Sequence, residues 1–283
     1  MKKKATQSTG GKKKTGNSRR RLFDDHMHEE KALKRKKIFE GKSKKVYETE
    51  NENEWMLEFK DDARDAKGHK KGVIKGKGSV NNQISTFLFK LLESYHIPTH
   101  FIKEVSDKEM LVKKMEMIGV KVVVRNIAVG QLAKRFNVPD GKELECPLLE
   151  FYLKDGNRDD PMINESHLIS FGHATSEEMR EIHRLASKCN AVIKAFFRRR
   201  LLNLVEIRME FGRYHGHIAV GDEISLDTCT FIRLDQSPGA KVQVIPVTLS
   251  ANTAGAGKLE GQIRIETDLN QPVEVQAVAV VTP

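Results

Sequence analysis

Two periodicities divide most of this chain, and they change at identifiable residues. Lys45–Thr49 and Trp55–Lys60 read as short strands around a polar turn at Glu50–Glu54. Val80, Ile84, Phe87, Leu88, Leu91, Leu92 and Tyr95 then recur at helical spacing, and Pro98 closes that helix. Strands are predicted next at Thr99–Glu104, Glu109–Lys114 and Val120–Arg125. A second helix opens at Thr175 and Glu178, a hydroxyl and a carboxylate three apart that can cap the first turn reciprocally. Its apolar stripe runs through Met179, Ile182, Leu185, Ala186, Cys189, Val192, Ile193 and Phe196. Leu204–Glu223 reads as a hairpin that turns across Gly212 to Gly216. Strands first and mixed elements later predict an α+β fold with two lobes.

The two ends depart from this texture. Residues 1–21 hold Lys, Arg, Gly, Ser and Thr with almost nothing to bury, so they cannot offset their own ordering entropy. In the last 53 residues, Lys241–Ser250, Leu259–Asp268 and Pro272–Val281 alternate apolar and polar positions as half-buried strands do. Three strands rarely make a stable unit alone, so this segment must pack on something. The resulting division is a basic arm at 1–36, a sheet lobe at 37–125, a larger α+β lobe at 126–229 and a strand-rich segment at 230–283.

Charge changes the picture only at the N-terminus. Residues 1–37 carry fourteen Lys and Arg against four acids, which accounts for the whole net charge of +10 and leaves residues 38–283 neutral. Clustered cations can attract nucleic acid, but without interleaved aromatics to stack on bases the arm reads as solvated, with nonspecific contacts only. No apolar run approaches the ~18 residues of a membrane helix, and the basic arm has no apolar stretch behind it of the kind a secretory signal needs. Cys146, Cys189 and Cys229 lie about 40 residues apart, a spacing that fits neither a zinc site nor a disulfide framework and suits the cytoplasm.

Several constellations can carry chemistry. Gly41-Lys42-Ser43-Lys44-Lys45 enters a strand, where alternation projects Lys42 and Lys44 together beside a glycine that admits close backbone approach, a candidate polyphosphate cradle. In Leu204–Phe211 one face is apolar and the other reads Glu206, Arg208 and Glu210; the return strand brings Asp222 near Glu206. Glu210 and Asp222 can then offer oxygens to Mg²⁺, which favours one or two carboxylates plus phosphate; a plain amphipathic strand with its charges in water has the same pattern. Arg125 at the end of an apolar strand, with Gln131, Lys134 and Arg135 following, is a candidate phosphate clamp or a structural ion pair. Asp160-Pro161 fixes carboxylates in a rigid turn, while His215 and His217 sit exposed at the hairpin tip.

Taken in order, these pieces resemble the SAICAR synthetase family. Gly41 to Thr49, Leu57 to Asp62, Gly76-Lys77-Gly78 with Asn81-Asn82, and Ile97 to Phe101 follow the family's opening. Leu111 to Lys114, Val122 to Asn126, Asp160 to Glu165, Met209 to Gly212 and Asp222 to Ser225 continue it, so that the resemblance spans residues 37–229. It implies a two-lobed, ATP-grasp- or kinase-like fold with antiparallel sheets, flanking helices and ATP in the cleft. The implied reaction is ATP-dependent ligation of L-aspartate to the carboxylate of carboxyaminoimidazole ribotide through a phosphorylated intermediate, a step of purine biosynthesis.

By the same resemblance, Gly41, Lys42, Ser43 and Lys44 cover the ATP phosphates, Met117 lies near the adenine, and Glu210 and Asp222 hold Mg²⁺. Arg125, Gln131 and Arg135 face the ribotide, and Glu206, Arg208, Lys154 and Asp160 belong to the catalytic cleft. The chain departs from the family's usual residues at Lys121, Gln131, Glu206, Arg208 and Thr230, where the family carries glutamate, serine, aspartate, lysine and arginine. These changes cluster about the ribotide, and a nucleotide-binding relative without ligase activity is the alternative they leave. Small-molecule substrates are the implied partners; self-association is left open.

Overall fold

A computed structural model describes residues 36–64, 71–154, 160–233, 243–245, 257–265 and 273–281. The basic arm lies outside these residues except for Lys36. The first elements are β1 (Lys37–Glu40), β2 (Lys44–Glu48), β3 (Glu54–Phe59), β4 (Asp62–Arg64), β5 (Lys71–Lys75), α1 (Lys77–Ser94), β6 (Phe101–Ser106) and β7 (Glu109–Lys113). There follow β8 (Glu116–Ala128), α2 (Gln131–Phe136), β9 (Lys142–Leu153), β10 (Met162–Ile163), α3 (Glu165–Ser170), α4 (Ser176–Arg198), β11 (Leu202–Tyr214), β12 (His217–Gly221) and β13 (Cys229–Arg233). The predicted C-terminal strands are present as β14 (Gln243–Ile245), β15 (Gly257–Ile265) and β16 (Val273–Val281).

The named strands pair antiparallel throughout, so the α+β expectation holds. A smaller sheet runs β1-β2-β3-β7-β6, and a larger one runs β10-β9-β8-β11-β13-β14 with β12 beside β11. Of the C-terminal strands, β14 pairs with β13 in the larger sheet, while β15 and β16 extend the β4–β5 hairpin, with Ala279 opposite Ile74.

The larger sheet folds around α4. Thr175 accepts from the Glu178 amide while the Glu178 carboxylate accepts from the Thr175 amide, the predicted capping box. Met179, Ile182, Leu185, Ala186, Cys189 and Ile193 on its stripe are buried in one cluster with Val122, Val124, Ile207, Met209 and Phe211 of the sheet. α1 departs from its predicted stripe. Phe87 and Tyr95 are exposed, whereas Asn81, Asn82, Ser85 and Thr86 are buried. The reason is that α1 packs between lobes and must satisfy backbone on either side. Asn82 Nδ2 donates to Ser106 O at 2.9 Å, and Ser85 Oγ donates to Ile224 O at 3.0 Å. Among the described residues, no helix is long and apolar enough to cross a membrane.

The lobes are joined at residues 98–100. Val220 N donates to Pro98 O at 3.0 Å, and His100 N donates to Val220 O at 2.9 Å. The His100 ring packs edge-on to Phe89, and its Nε2 is buried without a hydrogen-bond partner. Burial, with the nearby Lys44 and Lys113 charges, pushes the ring pKa from 6.5 down to about 3, against the pull of a bond to the Asp222 backbone.

This burial has a consequence for acid stability. Below pH 6.5 the unfolded chain protonates this histidine and the folded one does not, so stability falls with pH until the folded value is reached. One such proton costs about 1.4 kcal/mol per pH unit. Denaturant titrations between pH 6.5 and 5 should show that slope in the wild type relative to His100→Gln. Parallel curves for the two proteins would show that His100 stays accessible to protons in the fold.

Candidate active site

β8 and β11 run side by side in the larger sheet, and their register sets the charged residues in rows. Glu206 stands opposite Arg125, Arg208 opposite Val123 and Glu210 opposite Lys121. Beyond β8, β9 places Leu148 opposite Arg125, Glu150 opposite Val123 and Tyr152 opposite Lys121. Thr230 of β13 faces Glu206 from the other flank. Directly opposite residues share a face, so these side chains form one surface. The alternate positions Val122, Val124, Ile207 and Met209 are buried beneath it.

At one end of this surface, residues of the small lobe reach it. Lys44 Nζ lies 2.6 Å from Glu223 and 2.9 Å from Asp222. Ser43 Oγ donates to the same Glu223 oxygen at 2.9 Å, and Ser225 Oγ donates to the other at 2.6 Å. Burial on its own lowers the Lys44 pKa, but Asp222 and Glu223 more than offset this and hold the ammonium charged. Glu210 stands opposite Gly221, beside Asp222, and Lys154 Nζ lies 2.6 Å from Glu210. Burial and the charge of Asp222 push the Glu210 carboxyl above its ordinary range, while Lys154 and Lys44 pull the other way. Asp222 itself has φ 61°, in the left-handed region, where strain collects at functional positions.

Met117 borders this end of the site. A Cβ on Gly212 would lie 2.9 Å from Met115 Cβ and 3.0 Å from Met117 Sδ, so only glycine admits these methionines against the β11–β12 hairpin. Gly41, Lys42 and Ser43 form the β1–β2 turn, closed by Gly41 N donating to Lys44 O at 2.8 Å.

Two expectations are corrected here. Lys42 and Lys44 do not project together from one strand: β2 begins at Lys44, which is buried, while Lys42 lies exposed in the turn. Alternation therefore does not govern the pair. The hairpin turns at His215 and Gly216, with Gly212 inside β11. That tighter turn shifts the register and sets Asp222 beside Glu210, away from Glu206. His215 and His217 are exposed, as expected.

The other end of the surface is a network of arginines and buried carboxylates. Arg125 Nε donates to Glu150 at 2.6 Å, and its Nη1 donates to Glu206. Arg208 Nη2 donates to the second Glu206 oxygen at 2.6 Å, and Arg135 Nη2 donates to Glu150 at 3.0 Å. Tyr152 adds its hydroxyl to Glu150 at 2.8 Å. Burial raises the Glu150 pKa, but bonds from Arg125 and Tyr152 outweigh it and keep the carboxyl ionised. Three guanidiniums thus share two carboxylates, an excess of positive charge. Arg125, Gln131, Lys134, Arg135, Glu150 and Tyr152 line a cavity of about 510 Å³ there. Between the two ends, Lys121 pairs with Asp160 at 2.5 Å.

A cavity of about 600 Å³ at the hairpin tip, lined by Glu178 and Glu181 among others, contains none of the predicted site residues. Its three carboxylates, Glu177, Glu178 and Glu181, are already paired with Arg180, Arg213 and Arg184. Sequence reasoning gave no role to Glu223, Glu150 or Tyr152. Glu223 belongs to a quoted motif, and Glu150 is a lone acid between Leu149 and Phe151, an interruption that marks a buried charge needing a partner.

The family model for SAICAR synthetase matches residues 37–245, sixteen residues beyond the resemblance read from the motifs. Phosphoribosylaminoimidazole-succinocarboxamide synthase of Prosthecochloris aestuarii is 48% identical over 198 residues, covering 70% of this chain and 84% of the relative. A crystal structure of phosphoribosylaminoimidazole-succinocarboxamide synthase from Ehrlichia chaffeensis superimposes with TM-score 0.68 at 38% identity, over 71% of this chain and 86% of that one. A SAICAR synthetase in complex with ADP superimposes with TM-score 0.67 at 39% identity, over 71% of this chain and 85% of that one. With the family model spanning most of its length and a relative 48% identical over 70% of it, this chain belongs to the SAICAR synthetase family.

Proposed function

We propose that this protein is an ATP-dependent ligase joining L-aspartate to the carboxylate of carboxyaminoimidazole ribotide, with residues 44, 210 and 222 serving the nucleotide and the arginine network serving the ribotide. The observation that carries this reading is the placement of both groups on one sheet face, within a family whose named members are such synthases. The same identity favours a ligase over a relative that only binds nucleotide.

Glu210 and Asp222 fit a divalent cation by the chemistry of their donors. Among the described residues, no three His, Cys, Asp or Glu side chains gather as a metal site, and Mg²⁺ needs only one or two carboxylates when phosphate supplies further oxygens. Burial against Asp222 raises the cost of an ionised Glu210, and a cation removes that cost. Bound there, Mg²⁺ would neutralise phosphate charge. Lys44 and the exposed Lys42 add cations from the small lobe, and the Gly41–Ser43 turn covers the phosphates. Met117 offers an apolar edge to the base.

Arg125 is held rigid by Glu150 and Glu206, so Arg135 and Lys134 have more freedom to meet the ribotide phosphate around that brace. Arg208, held through Glu206, orients the reacting carboxylate, and Lys154 and Asp160 border it. Such catalysis consists of positioning and charge neutralisation. Three free thiols, Cys146, Cys189 and Cys229, suit a cytoplasmic setting.

Product formation tests the reading. ADP release should require the ribotide and aspartate together, and omission of either should reduce it to background. Release that ignores both would leave a nucleotide-binding protein or an ATPase.

Thr230 generates a second test. Facing Glu206, it stands where the family's arginine would add a fourth guanidinium to the network. A charge-assisted, bidentate phosphate contact contributes about 1.5–3 kcal/mol. Gln131→Ser/Thr230→Arg should therefore lower the ribotide KM and raise kcat/KM at least tenfold, roughly 1.4 kcal/mol, with ATP affinity and kcat nearly unchanged. A wild type that is already saturated at micromolar ribotide would mean that Arg135 and Lys134 suffice.

A further inference from the structure

Glu223 is the most enclosed charged residue of the cleft, with a side chain only 3% exposed, and its place between the lobes is unusual. One oxygen accepts from Lys44 and Ser43 of the small lobe, and the other accepts from Ser225 of its own loop. With both oxygens engaged, the carboxylate is fixed. Its loop is fixed as well: Ser85 Oγ of α1 donates to Ile224 O at 3.0 Å, and Asn81 Nδ2 donates to Asp227 at 3.0 Å. Asp222 differs. Its side chain is 29% exposed and lies next to Glu210 in the open cleft.

One ammonium therefore has two anionic partners of different character. A buried cation that loses its last counter-ion is strongly destabilised. If Asp222 were the sole partner of Lys44, any cation binding at Asp222 would have to overcome that cost. With Glu223 in place, Lys44 keeps a partner whichever way Asp222 turns.

We propose that Glu223 is a positioning residue: it is the permanent counter-ion of Lys44, releasing Asp222 to a divalent cation and holding Lys44 and Ser43 toward the phosphates. This rests on the reading of Glu210 and Asp222 as the metal carboxylates. A glutamine at position 223 keeps the shape and loses the charge, so Lys44 would turn to Asp222 and compete with the metal.

The test is Mn²⁺ binding to the full chain in the presence of ADP, followed by the paramagnetic resonance signal of free Mn²⁺. Glu223→Gln should weaken Mn²⁺ about tenfold, the effect of losing one charge-assisted contact. Glu223→Asp, which keeps the charge, should recover most of that loss. Lys44→Met removes the competing ammonium but also weakens ADP, so Lys44→Met/Glu223→Gln is compared with Lys44→Met alone at saturating ADP. There Glu223→Gln should cost no Mn²⁺ affinity, and this neutral pair serves if Glu223→Gln alone does not fold. A purely structural role predicts lower thermal stability with Mn²⁺ affinity unchanged in folded Glu223→Gln, and that result overturns the inference. So does a roughly tenfold loss of Mn²⁺ affinity when Glu223→Gln is added to Lys44→Met. Failure of wild type to retain Mn²⁺ removes the metal reading of Glu210 and Asp222, and the role of Glu223 with it.

Discussion

The register between β8 and β11 is the constraint on which the rest of the site depends. Side chains alternate along a strand, so a slip of one residue would exchange the two faces of the sheet. It would bury Glu206, Arg208 and Glu210 against α4 and expose Ile207, Met209 and Phe211. Fully burying an apolar side chain of this size contributes ~1.5–3 kcal/mol, and α4 presents a continuous apolar stripe to receive three of them. The hydrophobic layer therefore fixes the register, and the register places the polar rows. Glu206 meets Arg125 because Ile207 has to meet the core.

The polar face has its own energetic demand. Glu150 and Glu206 are buried carboxylates, and two arginines reach each of them. Arg125 belongs to both pairs, so it links the two carboxylates into one unit with little freedom. The other end repeats this logic across the lobes, where Lys44 is neutralised by Asp222 and Glu223. At each end the protein satisfies its buried charges internally while leaving one group less committed: Arg135 at the cavity, Asp222 at the cleft. Those are the groups that a ligand can recruit at least cost.

Much of this was legible in the sequence, for reasons that differ by feature. α4 declared itself through its capping box and stripe, because a long amphipathic helix answers mainly to its own periodicity. β2, β3, β6, β7, β8 and the β11–β12 hairpin were legible as short apolar or alternating runs, whereas β1, β9, β10 and β13 were not. α1 misled because its buried Asn82 and Ser85 serve backbone carbonyls in other elements and Asn81 serves the Asp227 carboxylate, tertiary demands that hydrophobic spacing does not express. The grouping of the candidate site residues differs from the one their spacing suggests. Asp222 moved from Glu206 to Glu210 because two residues, His215 and Gly216, make the hairpin turn, where five had been allotted. Lys42 separated from Lys44 because the strand starts only at Lys44, leaving Lys42 in the turn before it. Glu223 went unassigned although it lay within a quoted motif, since its importance comes from Lys44 and Ser43, about 180 residues away.

The central claim is that one sheet face holds nucleotide and ribotide side by side, with the metal carboxylates on the β11–β12 hairpin. A crystal structure of the full chain with ADP and Mg²⁺ addresses it directly. The account predicts a metal ion touching both Glu210 and Asp222, the phosphates within reach of Lys44, and Glu223 still paired with that lysine. Nucleotide bound with neither carboxylate on the metal, or with its phosphates beyond reach of Lys44, would contradict it.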